Sequence, residues 1–324
     1  MKVLVTGASG FVGSHLVEQL LKEKYEVVAL VRRTSNLIWL DTRKIELRYG
    51  EINEKPLARE ILSGIDAVIH CAGLVRSIQP EDFYRINHLG TAQLLKTIKQ
   101  QCPGLKKFIF ISSQAVYGPA KTFRYKKVGE EAPVSDYGKS KLLAEQELKK
   151  YSGQINWTIF RPASVYGPRD RDIRIFFQLI NRGWRLQTLS AKFFQLVFVS
   201  DLAKIIVRDL GRTDNSGQIY FVAEPEPYSL NDIGKIIALA AGKKTIPLII
   251  PDFLFLLAGR ISEFAATILK QPATFNYQKS RELIQRFWLA DTSETLKDFP
   301  DFCWTQLTEG AKITYNWYRE NQCL

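Results

Sequence analysis

The chain has 324 residues, 46% of them hydrophobic, so it can bury a large core as one large domain or two smaller ones. Its four cysteines show neither metal-ligand nor disulfide-framework spacing, which favours a reducing cytoplasm over a disulfide-stapled secreted fold. No signal peptide is recognised, and the longest apolar stretch, residues 246–258, is too short and interrupted to span a membrane.

The net charge of +12 includes two basic clusters, at residues 121–127 and 169–174. Acidic residues interrupt the second cluster, and no nucleic-acid-binding signature accompanies either one. We therefore expect a solvated basic face and no nucleic-acid partner. An anionic ligand or an acidic membrane surface is the alternative.

Strand-like and helix-like patterns alternate through the first half of the chain. Strands are predicted at residues 3–5, 26–31, 67–70, 108–112 and 158–160, with a third strand ending before Gly50, and helices at residues 14–24, 57–62, 90–101 and 136–151. This alternation is typical of an α/β fold with a doubly wound parallel sheet, the Rossmann fold. Residues 198–203 are expected to add a strand and a helix to that sheet.

The alternation sets the predicted domains. We expect a dinucleotide-binding domain at residues 1–167, rejoined by about 195–220. Residues 168–194 and 221–324 are expected to form a smaller, discontinuous, mostly helical substrate lobe.

A glycine-rich turn joins the first strand to the first helix. Gly7 permits the tight turn, Gly10 lets backbone amides approach a ligand, and Gly13 lets the helix pack on its strand. A pyrophosphate can then bind at the helix N-terminus. The other residues of this turn assigned to a nucleotide cofactor are Thr6, Ser9, Phe11 and Val12.

The end of the second strand distinguishes the two nicotinamide dinucleotides. NAD-binding folds commonly place an acidic residue there, whereas this chain has Val31 followed by Arg32 and Arg33. An arginine at this place can form charge-assisted bonds to a 2′-phosphate. We predict NADP rather than NAD, with Arg32 as the main contact.

The remaining cofactor positions follow from the sheet, because ligands lie across the carboxyl ends of its strands. Glu51 and Ile52 follow the third strand and are assigned to the adenine. Cys71, Ala72 and Gly73 end the fourth strand, where small residues let the nicotinamide ribose approach.

A serine, a tyrosine and a lysine carry the predicted chemistry. The strand at 108–112 brings Ser112 and Ser113 to the same sheet edge, where Ser112 is a predicted cofactor contact. Tyr137 and Lys141, also assigned to the cofactor, are four positions apart, which places both on one helix face. An unperturbed tyrosine, with a pKa of about 10, is a poor base, but a nearby ammonium favours the phenolate. Tyr137 is thus the predicted acid/base, Ser113 holds the reacting oxygen, and Lys141 also binds the ribose.

These motifs, with residues 70–73 and 161–168, resemble the extended short-chain dehydrogenase/reductase family, also called the NAD(P)-dependent epimerase/dehydratase family. The resemblance extends over the first two hundred residues. It implies the doubly wound fold, commonly a homodimer, and Asn87 as a structural or proton-relay residue. It also implies contacts from Pro162 and Ser164 near the nicotinamide carboxamide.

Departures from the family patterns favour one branch. Sugar 4,6-dehydratases resemble this chain around the active serine or threonine, but they carry an acidic pair directly after it. This chain has Gln114 and Ala115 at those positions, which disfavours a dehydratase. Matching residues 199–201 to the Val-x-Asp motif puts Phe194 where nucleotide-sugar enzymes tend to have a diphosphate-binding arginine. Without that arginine, the diphosphate of a nucleotide-sugar substrate needs another cation, for example Lys192 or Arg185.

Two resemblances favour a reductase. Val31-Arg32 resembles the dihydroflavonol reductase branch, and residues 246–257 resemble the apolar substrate-lobe helix of steroid-dehydrogenase-like members, with core packing as the alternative. We expect an NADP-dependent reductase or dehydrogenase acting on a carbonyl/alcohol carbon of a bulky, partly apolar substrate. The alternatives are a nucleotide-sugar epimerase with the same Ser-Tyr-Lys site and a non-catalytic dinucleotide-binding protein.

Overall fold

The computed structural model of the chain describes residues 1–53, 55–269, 273 and 275–324. The strands are β1 (Lys2–Thr6), β2 (Glu26–Val31), β3 (Glu46–Tyr49), β4 (Ala67–His70), β5 (Lys107–Ile111), β6 (Trp157–Pro162), β7 (Ser164–Tyr166), β8 (Trp184–Thr188), β9 (Phe193–Phe194), β10 (Leu196–Phe198), β11 (Gln218–Val222), β12 (Tyr228–Ser229), β13 (Ile246–Ile250) and β14 (Phe287–Trp288).

The helices are α1 (Phe11–Lys22), α2 (Arg59–Leu62), α3 (Pro80–Phe83), α4 (Gly90–Gln101), α5 (Asp136–Lys149), α6 (Arg174–Asn181), α7 (Val199–Asp209), α8 (Leu230–Ala240), α9 (Asp252–Leu269), α10 (Tyr277–Leu283), α11 (Ser293–Asp298) and α12 (Leu307–Glu320). A π-helix (Tyr84–Leu89) joins α3 to α4, and a 3₁₀ turn (Gln114–Val116) follows β5.

In the described part of the chain, seven strands form a central sheet in the order β11-β6-β5-β4-β1-β2-β3. Neighbouring strands from β6 through β3 run parallel. The inner strands read as continuous apolar runs because helices cover both faces of such a sheet, and Val3, Leu4 and Val5 of β1 are fully buried. The predicted doubly wound fold is confirmed.

The expectation that residues 198–203 add a strand to this sheet is wrong. β10 ends at Phe198 and pairs in parallel with β7 in a separate two-stranded sheet, and Val199 already begins α7. The local reason is a helical period, since Val199, Leu202 and Ile206 are all buried. The strand that extends the central sheet beyond β6 is β11 instead.

The described residues divide into two compact units. The first comprises Met1–Val116, Asp136–Arg161 and Leu202–Tyr220, and the second comprises Tyr117–Ser135, Pro162–Asp201 and Phe221–Leu324. Residues 117–135 and 162–167, which lie inside the predicted dinucleotide-binding domain, group with the second unit.

Residues 246–257 do not form a single helix. Ile246–Ile250 is strand β13, parallel to β8, and α9 begins only at Asp252. Core packing describes only part of the segment, because Phe255 is buried whereas Phe253 and Leu257 are 64% and 51% exposed. Within the described ranges, no helix is both long enough and apolar enough to cross a bilayer.

The basic cluster at 121–127 is not uniformly solvated either. Lys126 is buried, and its ammonium donates to the Tyr117 carbonyl oxygen. A buried ammonium needs such a partner, because desolvation without a hydrogen bond is costly.

Candidate active site

The glycine turn after β1 packs too closely to accept side chains. Gly7 has a φ of +69°, and a Cβ there would lie 2.8 Å from the Ala72 backbone. A Cβ on Gly13 would overlap the Gly7 carbonyl oxygen. The Gly10 amide donates to the same oxygen at 3.0 Å, and α1 begins at the next residue. This bare turn at a helix N-terminus suits a phosphate group.

A buried chain of hydrogen bonds fixes the end of β4. The Thr6 hydroxyl accepts from the Ala72 amide (3.0 Å) and lies 2.7 Å from His70 Nδ1. His70 Nε2 lies 2.9 Å from the Thr91 hydroxyl, which donates to the Asn87 carbonyl oxygen at 2.7 Å. Burial lowers the pKa of His70 to about 3, so the ring is neutral.

The partners decide the tautomer of that ring. Because the Thr91 proton is used on a carbonyl oxygen, His70 Nε2 carries the ring proton and Nδ1 accepts from Thr6. Sequence reasoning missed His70 and Thr91 as site residues. A polar histidine inside the apolar run of residues 67–70 is the one signal available.

The Asn87 side chain ties the π-helix to its neighbours. Its Oδ1 accepts from the Leu74 amide (2.7 Å), and its Nδ2 donates to the Leu74 carbonyl oxygen and to Ser140 Oγ, each at 3.0 Å. Ser140 in turn donates to the Tyr137 carbonyl oxygen at 2.8 Å. A Cβ on Gly73 would lie 3.0 Å from Asn87 Oδ1, so the loop after β4 rests directly on this amide.

Lys141 points inward from α5. Its Nζ donates to the Ile111 carbonyl oxygen at 2.6 Å and lies 4.4 Å from the centre of the Phe110 ring. Burial lowers the pKa of Lys141 from 10.5 to about 8, an effect that the nearby Glu145 carboxylate opposes. Lys141 is therefore mainly protonated at pH 7.

Tyr137 and Ser113 are both half-buried. Tyr137 lies in the first turn of α5, with its ring edge-on to Phe83. Ser113 follows β5, and its hydroxyl oxygen accepts from the Ala115 amide at 3.1 Å. The 3₁₀ turn after Ser113 packs against α5. The first unit thus contains Ser113, Tyr137, Lys141 and Asn87 around the ends of β4 and β5.

Ser112 faces elsewhere. Its hydroxyl donates to Glu145 Oε1 at 2.5 Å, so a cofactor contact is left to its backbone. Arg161 donates to the same carboxylate through Nε (2.9 Å) and Nη2, and the side chains of Arg161 and Glu145 are both fully buried. Sequence reasoning assigned no role to Glu145, which lies one helical turn after Lys141.

The end of β2 carries the two predicted arginines. The Arg32 amide donates to Ser35 Oγ (3.0 Å), and its exposed guanidinium lies 3.9 Å from Glu51. The Arg33 guanidinium lies over the Tyr49 ring. Ile52, the second residue predicted at the adenine, is buried beside Gly90 at the start of α4.

Other predicted positions belong to the second unit. Pro162 ends β6, and the exposed Ser164 begins β7. Phe194 pairs with Tyr228 in the sheet that contains β9. Lys192 is buried, and its ammonium binds Asp252 (3.0 Å) and the Ile284 carbonyl oxygen (2.6 Å). The ammonium of Lys192 is therefore already engaged by partners in the second unit and does not replace a diphosphate-binding arginine.

Comparisons with known proteins agree with this architecture. Ceramide reductase from Caulobacter vibrioides is 27% identical over 98% of this chain and 94% of its own length. UDP-glucose 4-epimerase from Vibrio cholerae is 29% identical over 80% of this chain and 81% of its own length. The crystal structure of UDP-glucose 4-epimerase from Thermotoga maritima with UDP-glucose has a TM-score of 0.78 at 22% identity, covering 99% of this chain and all of that one.

The sequence profile of the NAD dependent epimerase/dehydratase family matches residues 3–223, more than two thirds of the chain. This span includes the glycine turn and both ends of the Tyr137 to Lys141 pair. The chain belongs to the NAD dependent epimerase/dehydratase family.

Proposed function

We propose that the protein is an NADP-dependent reductase or dehydrogenase that interconverts a carbonyl and an alcohol in a bulky, partly apolar substrate. The observation that carries the proposal is the grouping of Ser113, Tyr137 and the buried Lys141 at the ends of β4 and β5. In the same unit, the glycine turn has no side chain at Gly7 and Gly13, its two most closely packed glycines.

The residues present fit a nicotinamide dinucleotide. The glycine turn and the start of α1 would hold the pyrophosphate, and Cys71, Ala72 and Gly73 would allow a ribose close to the backbone. When bound, the nicotinamide supplies or accepts the hydride.

Tyr137 moves the proton at its phenolic oxygen. Lys141 carries a positive charge at pH 7, below its own pKa of about 8, and a buried cation favours the phenolate of a nearby tyrosine. Asn87 positions Tyr137 through Ser140, whose hydroxyl bridges the asparagine amide and the Tyr137 carbonyl oxygen. Since the Asn87 amide is engaged by Leu74 and Ser140, we assign it a positioning role rather than a proton relay.

Ser113 orients the reacting oxygen. Its oxygen accepts from the Ala115 amide, and its hydroxyl proton is the group that it offers to a carbonyl oxygen, which can only accept. A carbonyl oxygen held in this way receives a hydrogen bond that strengthens as negative charge develops on it.

The end of β2 supports NADP. Arg32 lies only loosely against Glu51, at 3.9 Å, so its guanidinium is available for a 2′-phosphate. No acidic residue stands at the position directly after Val31 to hold the ribose hydroxyls of NAD.

Two observations favour a reductase over an epimerase. Phe194 stands where nucleotide-sugar members tend to carry a diphosphate-binding arginine, and Lys192 is held by Asp252. One relative that matches 98% of the chain is named a ceramide reductase, which supports carbonyl chemistry on an apolar substrate, whereas another that matches 98% of the chain is named a putative UDP-glucose 4-epimerase. A nucleotide-sugar epimerase is the second candidate, favoured by the names of the Vibrio and Thermotoga proteins.

The test is NADPH consumption by the purified protein with a panel of long-chain and polycyclic ketones. We expect steady turnover that is lost in Tyr137→Phe and retained in Tyr151→Phe, which removes a phenol just beyond α5. Isomerisation of a UDP-sugar without net NADPH consumption would establish the epimerase instead. Dinucleotide binding with neither reaction would identify a non-catalytic protein.

A further inference from the structure

The two faces of α9 are both apolar. On one face Phe255, Gly259 and Ala266 are buried, and a Cβ on Gly259 would lie 2.6 Å from Ser280 Oγ of α10. The opposite face is in solvent. A helix with apolar residues on two opposite faces is normally covered on both, so something is expected to cover this face.

The exposed face is a continuous stripe. Its central residues are four, four, three and four positions apart in the sequence. This spacing places them along one side of the helix over about 22 Å. They are Phe253 (64% exposed), Leu257 (51%), Ile261 (61%), Phe264 (71%) and Ile268 (65%).

Flanking residues widen this stripe to an arc of about 140° at 100° per residue, without a charged or polar member. The additional members are Leu254, Ala258 and Ala265, all exposed. The polar residues of α9 lie outside the arc. Arg260, for example, stacks on the Tyr277 ring of α10.

Exposed apolar residues also occur on β13, which directly precedes α9 in the chain. Ile246, Leu248 and Ile249 are exposed, and Trp184, which pairs with Ile246 across the two-stranded sheet, is 44% exposed. We call the α9 arc with these β13 residues the α9 face. Soluble monomers rarely expose an apolar surface of this extent without using it.

The segment that contains the α9 face carries an excess of positive charge. Residues 243–286 contain seven lysines and arginines against three acidic residues. The exposed Lys243 and Lys244 lie in the loop shortly before β13. Two of the acidic groups already have cationic partners, since Asp252 pairs with Lys192 and Glu282 with Lys279.

We propose that the α9 face docks the second unit on an anionic lipid surface. Because the other side of α9 is packed on α10, the helix lies along such a surface and buries one arc in it. The basic residues at its border then meet anionic headgroups. A second copy meeting the same face would instead bring like charges together, which disfavours that occupant. The proposal goes beyond the proposed function and does not depend on it.

The test is flotation of the full chain with phosphatidylcholine vesicles that contain or lack phosphatidylglycerol. We expect binding to the anionic vesicles that weakens as salt is raised. Phe264→Gln should weaken this binding at least about tenfold, as expected from losing one buried aromatic side chain. The matched control Thr267→Gln places the same side chain on the same helix outside the arc and should bind like the unchanged protein.

Charge is tested separately from apolar contact. Lys243→Gln with Lys244→Gln should reduce binding to anionic vesicles several-fold. All of these residues are exposed, so their variants should fold, and circular dichroism checks this. Absence of vesicle binding by the unchanged protein overturns the proposal. So does a dimer in light scattering that Phe264→Gln converts to a monomer, because a second copy would then cover the face.

Discussion

Replacing Lys141 with methionine should make the protein lose activity and change how its stability depends on pH. The ammonium of Lys141 is buried, and burial lowers its pKa from 10.5 to about 8. That fall corresponds to about 3 kcal/mol by which the charged form is penalised in the folded state. Methionine has a similar length without the charge.

The sign follows from proton binding in the two states. Below about pH 8 the folded and unfolded chains both hold the proton, and the folded wild type bears the full penalty. Between about pH 8 and 10.5 only the unfolded chain holds it, so wild-type stability rises with pH relative to the variant. Above 10.5 the difference no longer changes. Loss of the hydrogen bond to the Ile111 carbonyl oxygen adds a cost of about 1–3 kcal/mol that does not vary with pH.

The measurement is urea unfolding of both proteins without cofactor from pH 7 to pH 10, followed by tryptophan fluorescence. The free energy of unfolding of Lys141→Met, relative to wild type, should fall by about 2–3 kcal/mol across this range. Lys139→Met, an exposed lysine on the same helix, is the matched control and should give a flat difference. A difference for Lys141→Met that stays constant within about 0.5 kcal/mol would refute the buried-ammonium reasoning.

Three further substitutions test other parts of the site. Arg32→Ala should weaken NADP binding tenfold or more, as expected from a lost charge-assisted bond of about 1.5–3 kcal/mol, and leave NAD binding unchanged in a fluorescence titration. Arg43→Ala, another exposed arginine of the first unit, should change neither, and equal losses for both dinucleotides would contradict the 2′-phosphate role. Gly13→Ala should abolish dinucleotide binding in calorimetry, because its Cβ overlaps the Gly7 carbonyl oxygen; unchanged affinity would show that the turn can open. Arg161→Met should destabilise by about 3–5 kcal/mol at pH 7 by leaving Glu145 buried and uncompensated, and adding Glu145→Leu should recover most of this in thermal unfolding. A loss below about 1 kcal/mol would mean that the pair is hydrated.

The sequence was sufficient wherever a feature depends on local spacing. β2, β4 and α4 have the predicted bounds, because buried parallel strands and amphipathic helices impose their own periods on the chain. The strand–turn–helix at Gly7 to Gly13 could be predicted for the same reason, since each glycine meets a backbone requirement that is set within a few residues. Tyr137 and Lys141 share a helix, so their relation is also local.

Contacts between residues that are far apart in the chain could not be predicted from the sequence. The link from Thr6 through His70 and Thr91 to Asn87 joins four elements, and spacing along the chain does not specify such contacts. The orientation of Ser112 toward Glu145 depends on how α5 packs on β5. Here the tertiary structure alone decided which neighbouring serine is free to face a substrate.

The sequence by itself determined the doubly wound sheet, the glycine turn and the residue types of the candidate site, because periodicity and spacing encode them. The tertiary structure decided which polar groups are buried and which apolar groups are not. An apolar run such as residues 246–257 has the same amino-acid sequence whether its side chains are buried or exposed. Solvent exposure is a property of the packed molecule, and it alone revealed the α9 face.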